Sequence, residues 1–389
     1  MFVSSKEKKK LNIRPEIIKI ILVAALIRVV TYLIYLVFMK YSPEHGMPYS
    51  FENTLNAWRR WDANAYLDLA QNGYNHYQEN GQHLYLVFLP LYPWVVRMFA
   101  LVLRSYELAG LFVSFISILI GCVFLYIIVE EDYGYTSAVA AVISLSLFPF
   151  AFFLNGIMTD SLFTAIVLAF MFYLKKKRYG MATLFGFLAC LCRLQGWFLA
   201  FAIVVELWED MTSKSDRNVI KDFILPGIKC LPMLFGVIIY LFINLRVEGD
   251  PFVFLTYQKE HWTHTFGPFW NCVRDMITYI KADPSGELSI SIWWPQLILF
   301  AVQLVFIIYC VRIKMRPSYI VIFIAFFIVT YSSTWLLSGS RYTLSVAPLF
   351  MAIGVFLSRH RVGKWIWYVL SFALMVTYMW RFYNYMSIM

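Results

Sequence analysis

The 389-residue chain is short of charge. Asp, Glu, Lys and Arg make up 14% of it, while apolar types reach 61%; soluble domains carry about 25% charged residues. A soluble domain of this length must cover itself with polar atoms, and this sequence has too few. A water-soluble enzyme and a disordered chain are therefore excluded. Cysteine is scarce too: six residues and no CxxC pair. Cys122, Cys190, Cys192, Cys230 and Cys310 lie in apolar segments, and Cys272 is expected in a polar loop. That excludes a disulfide-rich secreted scaffold and offers no metal-ligand spacing. No cleavable signal with an A-x-A site is found, nor an internal repeat of the kind many transporters show. The apolar runs are continuous where an outer-membrane barrel would alternate. What remains is an all-α, polytopic integral membrane protein.

The apolar runs set the expected topology. A first span covers about Ile17 to Phe38, preceded by the basic tail Lys6–Lys10. Residues 89–103 are interrupted by Pro90, Pro93 and Arg97 and are too short to cross, since a span needs about twenty residues. They read as a juxtamembrane or re-entrant helix. Further runs lie near 108–129, 136–153, 161–174, 180–192, 196–208, 223–244, 291–311, 318–337, 343–357 and 364–381. Counted as spans, they place every basic cluster on one side: Lys175–Arg178, Lys214/Arg217/Lys221, Arg312/Lys314/Arg316 and Arg359/Arg361/Lys364. The net charge of +10 thus reads as positive-inside loops, not as nucleic-acid binding. The expectation is one membrane domain over residues 1–389, with about eleven spans. A first outer loop (39–107) bears interfacial and juxtamembrane helices, and a second large outer loop covers 246–290. The Asn155–Asp160 turn, the Arg193–Gly196 turn and Ser338–Arg341 fall on the same outer face.

Within the first loop, Trp58 to Tyr74 is predicted to be a helix stopped by Gly73. Trp58, Asp62, Tyr66 and Ala70 are four apart and would share a face, with Asp68 pointing elsewhere. An interfacial helix holding a carboxylate suits chemistry on a lipid-linked substrate. The bland alternative is a surface pair between Asp62 and Arg59. Arg193 and Arg341 sit at the membrane edge, where ionisable groups are costly and functional by default, although helix-packing ion pairs are the alternative. Asp160 is either a second active-site acid or the counter-ion of Arg193, the latter favoured because adjacent buried charges need each other. Arg28 lacks an evident partner; Asp160 is one option.

The order Trp61-Asp62-Ala63, Leu69-Ala70, Gly73-Tyr74 and Phe88-Leu89-Pro90-Leu91-Tyr92-Pro93 resembles the mannosyltransferases of the PIG-V type, those like GPI mannosyltransferase 2. The resemblance continues at Ser146-Leu147-Phe148-Pro149, at Asn155–Phe163, at Arg193-Leu194-Gln195-Gly196 and at Ser340-Arg341-Tyr342. It covers most of the chain and is strongest over 58–200. It implies a GT-C glycosyltransferase fold. The implied reaction moves a hexose, mannose in the family, from a polyprenyl-phosphate sugar to a glycolipid or other surface acceptor. It would be a single inverting displacement, with Asp62 as the catalytic base. The leaving phosphate needs a cation, for which Arg193 and then Arg341 are the candidates. Tyr66 shares the Asp62 face.

In the second loop, Lys259, His261 and Trp262 are expected to touch phosphate or sugar, with a bland interfacial loop as the equal alternative. His261 and His264, with Glu260, lack a recognised metal spacing. No cofactor is expected, and nothing in the residue pattern supports a divalent cation near Asp62. His45, His76 and His83 read as solvated. The length and bare basic tail fit a prokaryotic relative in a plasma membrane; a eukaryotic one would lie in the endoplasmic reticulum. In either case the active site is expected on the non-cytoplasmic face. The competing function is a lipid-linked-saccharide flippase or transporter, which accounts for the spans but not for an interfacial Trp-Asp helix.

Overall fold

The computed structural model describes residues 14–43 and 45–388. The basic tail Lys6–Lys10 lies outside them. In chain order the helices are α1 (Pro15–Tyr41), α2 (Phe51–Asn56), α3 (Ala63–Asn72), α4 (Leu91–Leu103), α5 (Tyr106–Tyr133), α6 (Tyr135–Leu147), α7 (Asp160–Lys175), α8 (Tyr179–Cys192) and α9 (Leu199–Thr212). There follow α10 (Leu225–Cys230), α11 (Phe235–Glu248), α12 (Val253–Trp262), α13 (Phe269–Ala282), α14 (Trp294–Arg312), α15 (Pro317–Tyr331), α16 (Gly339–Tyr342), α17 (Ala347–Arg359) and α18 (Arg361–Tyr383). Among the described residues β pairing is limited to two isolated bridges, Glu79 with Gln82 and Phe266 with Ser333.

Among the described residues five helical stretches are long and apolar enough to cross a bilayer: Pro15–Tyr41, Tyr106–Tyr133, Ile220–Glu248, Ser289–Arg312 and Arg361–Tyr383. Gly339–Ser345 and Ala347–Arg359 make a sixth if their 77° bend is counted within one span. The chain is an integral membrane protein. The other expected spans fall on α6, α7, α8, α9 and α15, which have only 13 to 16 residues. A straight crossing takes about twenty. These helices are short because the chain breaks between them. α6 stops at Leu147, and Pro149 cannot continue a helix. The chain then runs through a 3₁₀ turn, Ala151–Asn155, to the start of α7 at Asp160.

Nearly all of that irregular stretch is buried, so its backbone polar groups need partners from elsewhere. Arg28, in the middle of α1 and 1% exposed, supplies them. Its guanidinium donates to Ala151 O at 2.7 Å, to Asn155 Oδ1 at 2.9 Å and to the Ser146 carbonyl. Asn155 Nδ2 returns a bond to the Arg28 carbonyl at 3.0 Å. Arg28 therefore braces backbone and does not pair with Asp160, correcting one option raised above. A carbonyl-rich loop offers as many acceptors as a carboxylate and lies closer.

The opposite ends of the same helices carry the basic clusters. Lys175 reaches Asp132 at 2.5 Å and Lys176 reaches Glu131 at 2.9 Å, while Lys177 pairs with Asp210. From Asp160 to Lys175 is sixteen helical residues, about 24 Å of rise. Arg316 meets the buried Glu206 at 2.5 Å. Cys272, expected in a polar loop, instead lies on the buried side of α13 at 5% exposure. Its helix packs Cys272, Met276 and Ile280 inward at a four-residue spacing.

The turn at Arg193–Gly196 packs backbone against backbone. A Cβ on Gly196 would lie 2.3 Å from the Ala189 carbonyl carbon and 2.4 Å from its oxygen. Backbone atoms cannot yield as a side chain can, so Gly196→Ala should cost about 1–3 kcal/mol through overpacking. Thermal unfolding of the detergent-solubilised protein measures it; an unchanged melting temperature would show that this turn is not packed against α8.

Candidate active site

Asp62 stands just before α3, not within a helix beginning at Trp58. Trp58 stacks on Tyr35 of α1 with ring centroids 4.0 Å apart, and Tyr35 Oη donates to Ala57 O at 2.8 Å. Arg60 is held against the rings of Tyr385 and Tyr383 and donates to Tyr385 Oη at 2.8 Å. These anchors pull residues 57–62 out of helical register, and Trp61 takes the left-handed conformation with φ 51°. The expected shared face of Trp58 and Asp62 is thereby lost, while Tyr66 and Ala70 remain on α3. Asp62 makes no capping bond. Nor does it pair with Arg59, which reaches Asn64 at 3.1 Å and Glu107 at 3.4 Å. At the other end of α3, Arg97 donates to the Ala70 and Gln71 carbonyls at 2.6 and 2.8 Å, satisfying helix-end acceptors.

The Asp62 carboxylate opens a chain of alternating charges. Its Oδ2 accepts from Arg341 Nη1 at 2.8 Å. Arg341 Nε donates to Asp160 Oδ2 at 2.8 Å, and Asp160 Oδ1 accepts from Arg193 Nη2 at 2.7 Å. Arg193 Nε donates to Thr159 Oγ1 at 2.7 Å. Exposure is least in its middle: the Asp62 side chain is 35% exposed, Arg341 3%, Asp160 0% and Arg193 10%. Aromatic faces line the cations, with Phe153 5.1 Å from the Arg341 guanidinium and Phe163 and Tyr342 5.5 and 5.4 Å from that of Arg193. Arg193 Nη1 is buried with no hydrogen-bond partner among the described residues.

Each member comes from a discontinuity in the helical structure. Asp160 is the first residue of α7, Arg193 follows the last turn of α8, and Arg341 lies in the one-turn α16 before the 77° bend. The bend is braced from α14. Gln296 Nε2 donates to Leu336 O at 2.7 Å, and its Oε1 accepts from Gly339 N at 3.1 Å.

Tyr66 lies over the cluster, its ring edge-to-face with Phe88 and Tyr92 at 5.1 and 5.3 Å. Burial first, and then the Asp62 charge, push its hydroxyl well above the ordinary tyrosine range. It therefore stays protonated and can donate to an anion but not serve as a base. Trp262 also meets Phe88 edge-to-face, with ring centroids 6.4 Å apart. Lys259 is exposed on α12, and His261 bonds Gln82 Oε1 at 2.8 Å; neither joins the charged chain. His83, expected to be solvated, pairs with Glu248 at 2.8 Å and is 14% exposed, tying the first outer loop to the end of α11. Among the described residues no cluster of three or more metal-ligating side chains occurs. The sequence reading missed Thr159, Phe153 and Tyr342 as members. Thr159 and Tyr342 adjoin Asp160 and Arg341, so adjacency was the available signal; Phe153 had none.

No protein-family model matches the chain. Among curated proteins it is 23% identical to GPI mannosyltransferase 2 of Schizosaccharomyces pombe over 239 residues, 57% of this chain and 50% of that protein. Among solved structures it superposes on ArnT from Cupriavidus metallidurans bound to undecaprenyl phosphate, with TM-score 0.55, 16% identity and coverage of 90% of this chain and 62% of that one. The apo ArnT structure gives TM-score 0.54 at the same identity, covering 89% and 61%. The match spans about half the length of the curated relative. These findings bear out the resemblance read from the motifs, to PIG-V-type mannosyltransferases with a GT-C fold.

Asp160 is the carboxylate that two buried guanidiniums share, and removing one partner of a buried pair typically costs about 3–5 kcal/mol. Asp160→Asn should therefore lower the melting temperature sharply, whereas Asp62→Asn, one-third exposed, should lower it little. Equal shifts in the two variants would show that Asp160 is not the internal brace.

Proposed function

We propose that the chain is a membrane glycosyltransferase that moves a hexose, mannose by its resemblance, from a polyprenyl-phosphate sugar to a lipid-linked or surface acceptor. The observation that carries this reading is the charged chain itself. It presents one partly exposed carboxylate, Asp62, at its outer end and one unpartnered guanidinium nitrogen, Arg193 Nη1, within. A base and a phosphate-binding cation are what the displacement requires. Asp62 accepts the proton of the acceptor hydroxyl as that oxygen bonds to the anomeric carbon. The bond from that carbon to the phosphate oxygen breaks, and the polyprenyl phosphate leaves with the electron pair. Arg193, aided by Arg341 and the Tyr66 hydroxyl, stabilises the charge that gathers on the phosphate. The phosphate needs no general acid, so one base suffices.

In this reading α6, α7, α8, α9 and α15 complete the bilayer crossings, about eleven in all. Their breaks gather Asp62, Asp160, Arg193 and Arg341 at one face, the non-cytoplasmic one. The short helices leave that face recessed, where irregular backbone lines a cavity.

Purified protein incubated with polyprenyl-phosphate mannose and a panel of acceptors tests the activity. Asp62→Asn preserves size and hydrogen bonding but cannot take a proton, so turnover should fall about 10²–10⁴-fold with donor binding near normal. Arg193→Gln should instead weaken donor use far more than acceptor use. An Asp62→Asn enzyme with near wild-type turnover would remove Asp62 from the base role.

Sidedness has its own test. All six cysteines are buried, so a single introduced thiol reports alone. Cysteines at Asn64 and Thr263, both exposed, should label from outside intact cells or vesicles of known orientation. A cysteine at Lys214 should label only after permeabilisation. Labelling of Asn64 and Thr263 from opposite sides would break the composite site.

A further inference from the structure

Asp68 lies outside the charged chain, and its surroundings are unusual for an idle surface acid. Its Oδ1 accepts from Asn72 Nδ2 at 2.7 Å and pairs with His76 Nδ1 at 2.8 Å. Its Oδ2 is buried and has no partner among the described residues. A carboxylate oxygen withdrawn from water and left unmatched wants a donor. His76, which holds Oδ1, is followed directly by Tyr77, and Tyr77 stacks on Tyr85 at 4.0 Å with the planes 9° apart, both half-buried. Burial, then Tyr77 and the Asp68 charge, push the Tyr85 hydroxyl up to about 12. Tyr85 packs on Phe88 at 6.0 Å, and Phe88 on Tyr66 at 5.1 Å. A row of rings thus runs from this outer pair to the residue lying over Asp62 and Arg341.

We propose that Asp68 and the Tyr77–Tyr85 pair form a saccharide subsite that holds a pyranose ring of the acceptor, leading it along Phe88 toward Asp62. The inference rests on the transferase reading and names the substrate class for its acceptor side. A pyranose has one face of C–H groups with slight positive charge, which match the negative face of an aromatic ring. Its vicinal hydroxyls are donors suited to a free carboxylate oxygen. Oδ1 is already fixed by Asn72 and His76, so Oδ2 is oriented before the sugar arrives and little ordering is lost on binding. The subsite is distinct from the phosphate-binding cations, because Asp68 would repel a phosphate. It therefore recognises a neutral sugar and not the donor's anionic end.

Saturation-transfer NMR on the full-length protein in detergent, with methyl α-D-mannopyranoside and methyl β-D-glucopyranoside as probes, tests the subsite without turnover. Wild-type protein should bind at least one probe. Tyr85→Ala and Asp68→Asn should each weaken that binding about tenfold or more, while Tyr85→Phe, which keeps the ring, should retain it. Among the described residues Tyr85 Oη has no hydrogen-bond partner, so this variant disturbs little. Asp62→Asn should also retain it, since Asp62 is not in the subsite. Binding that survives both Tyr85→Ala and Asp68→Asn, binding lost in Asp62→Asn, or no binding of either probe by wild type would each overturn the proposal. If the transferase reading alone were wrong, sugar binding would persist with this variant pattern while no transfer from polyprenyl-phosphate mannose occurred.

Discussion

A guanidinium keeps its proton even in apolar surroundings, so a helix bundle that buries Arg193 and Arg341 must bring carboxylates to them. Asp160 serves both, and Asp62 takes the remaining reach of Arg341. The architecture around this chain follows from that demand. Residues of one helix face cannot surround a guanidinium, so the four charged groups come from four places where helices start, stop or bend. Two acids and two arginines balance one another, which is what makes the burial tolerable. The balance leaves little slack, and Arg193 Nη1 alone of the four groups' charged atoms stays buried without a partner among the described residues.

Breaks in helices expose backbone groups that lipid cannot satisfy. The fold meets this with polar side chains placed in otherwise apolar helices. Arg28 covers the carbonyls of the 146–155 stretch, Ser114 Oγ donates to Gly156 O at 2.7 Å, and Gln296 grips the 336–339 turn. These residues touch no candidate substrate position. They act by holding Thr159, Asp160 and Arg341 where the charged chain needs them, as supporting groups do in other polar sites. The loops at 73–90 and 263–268 are tied in the same way, through His83 and Glu248 and through Thr265 and Thr334.

The two ends of the bundle handle most of their charge differently, although one acid, Glu206, is buried at the basic end and held there by Arg316. At the end away from the site, Lys175, Lys176 and Lys177 pair with acids on α5 and α9 in partly exposed positions, where a pair is worth little. At the site end the same chemistry is buried and cannot be exchanged for water. Loss of one partner there leaves a buried charge unmatched, which is why Asp160 and Asp62 are expected to differ in their effect on stability.

Composition and run length by themselves determined the membrane class, the order of the helices and the prominence of the Trp61-Asp62 stretch, because hydropathy and local motif are properties of neighbouring residues. Arg193 and Asp160, thirty-three residues apart, could be weighed as partners because each ends or begins an adjacent helix. Other features depend on contacts that no local pattern encodes. Arg341 meets Asp62 across 279 positions and Asp160 across 181. Arg28 finds the carbonyls of a loop 118 to 127 positions away and not an acid. The helix expected from Trp58 begins at Ala63 because aromatic contacts with α1 and with Tyr383 and Tyr385 override its propensity. Cys272 turned inward with the buried face of α13, and His83 turned to Glu248. Local sequence could mark which groups are too costly to leave idle in a membrane; only the packed bundle decided which of them meet, since that choice is made by long-range neutralisation of charge.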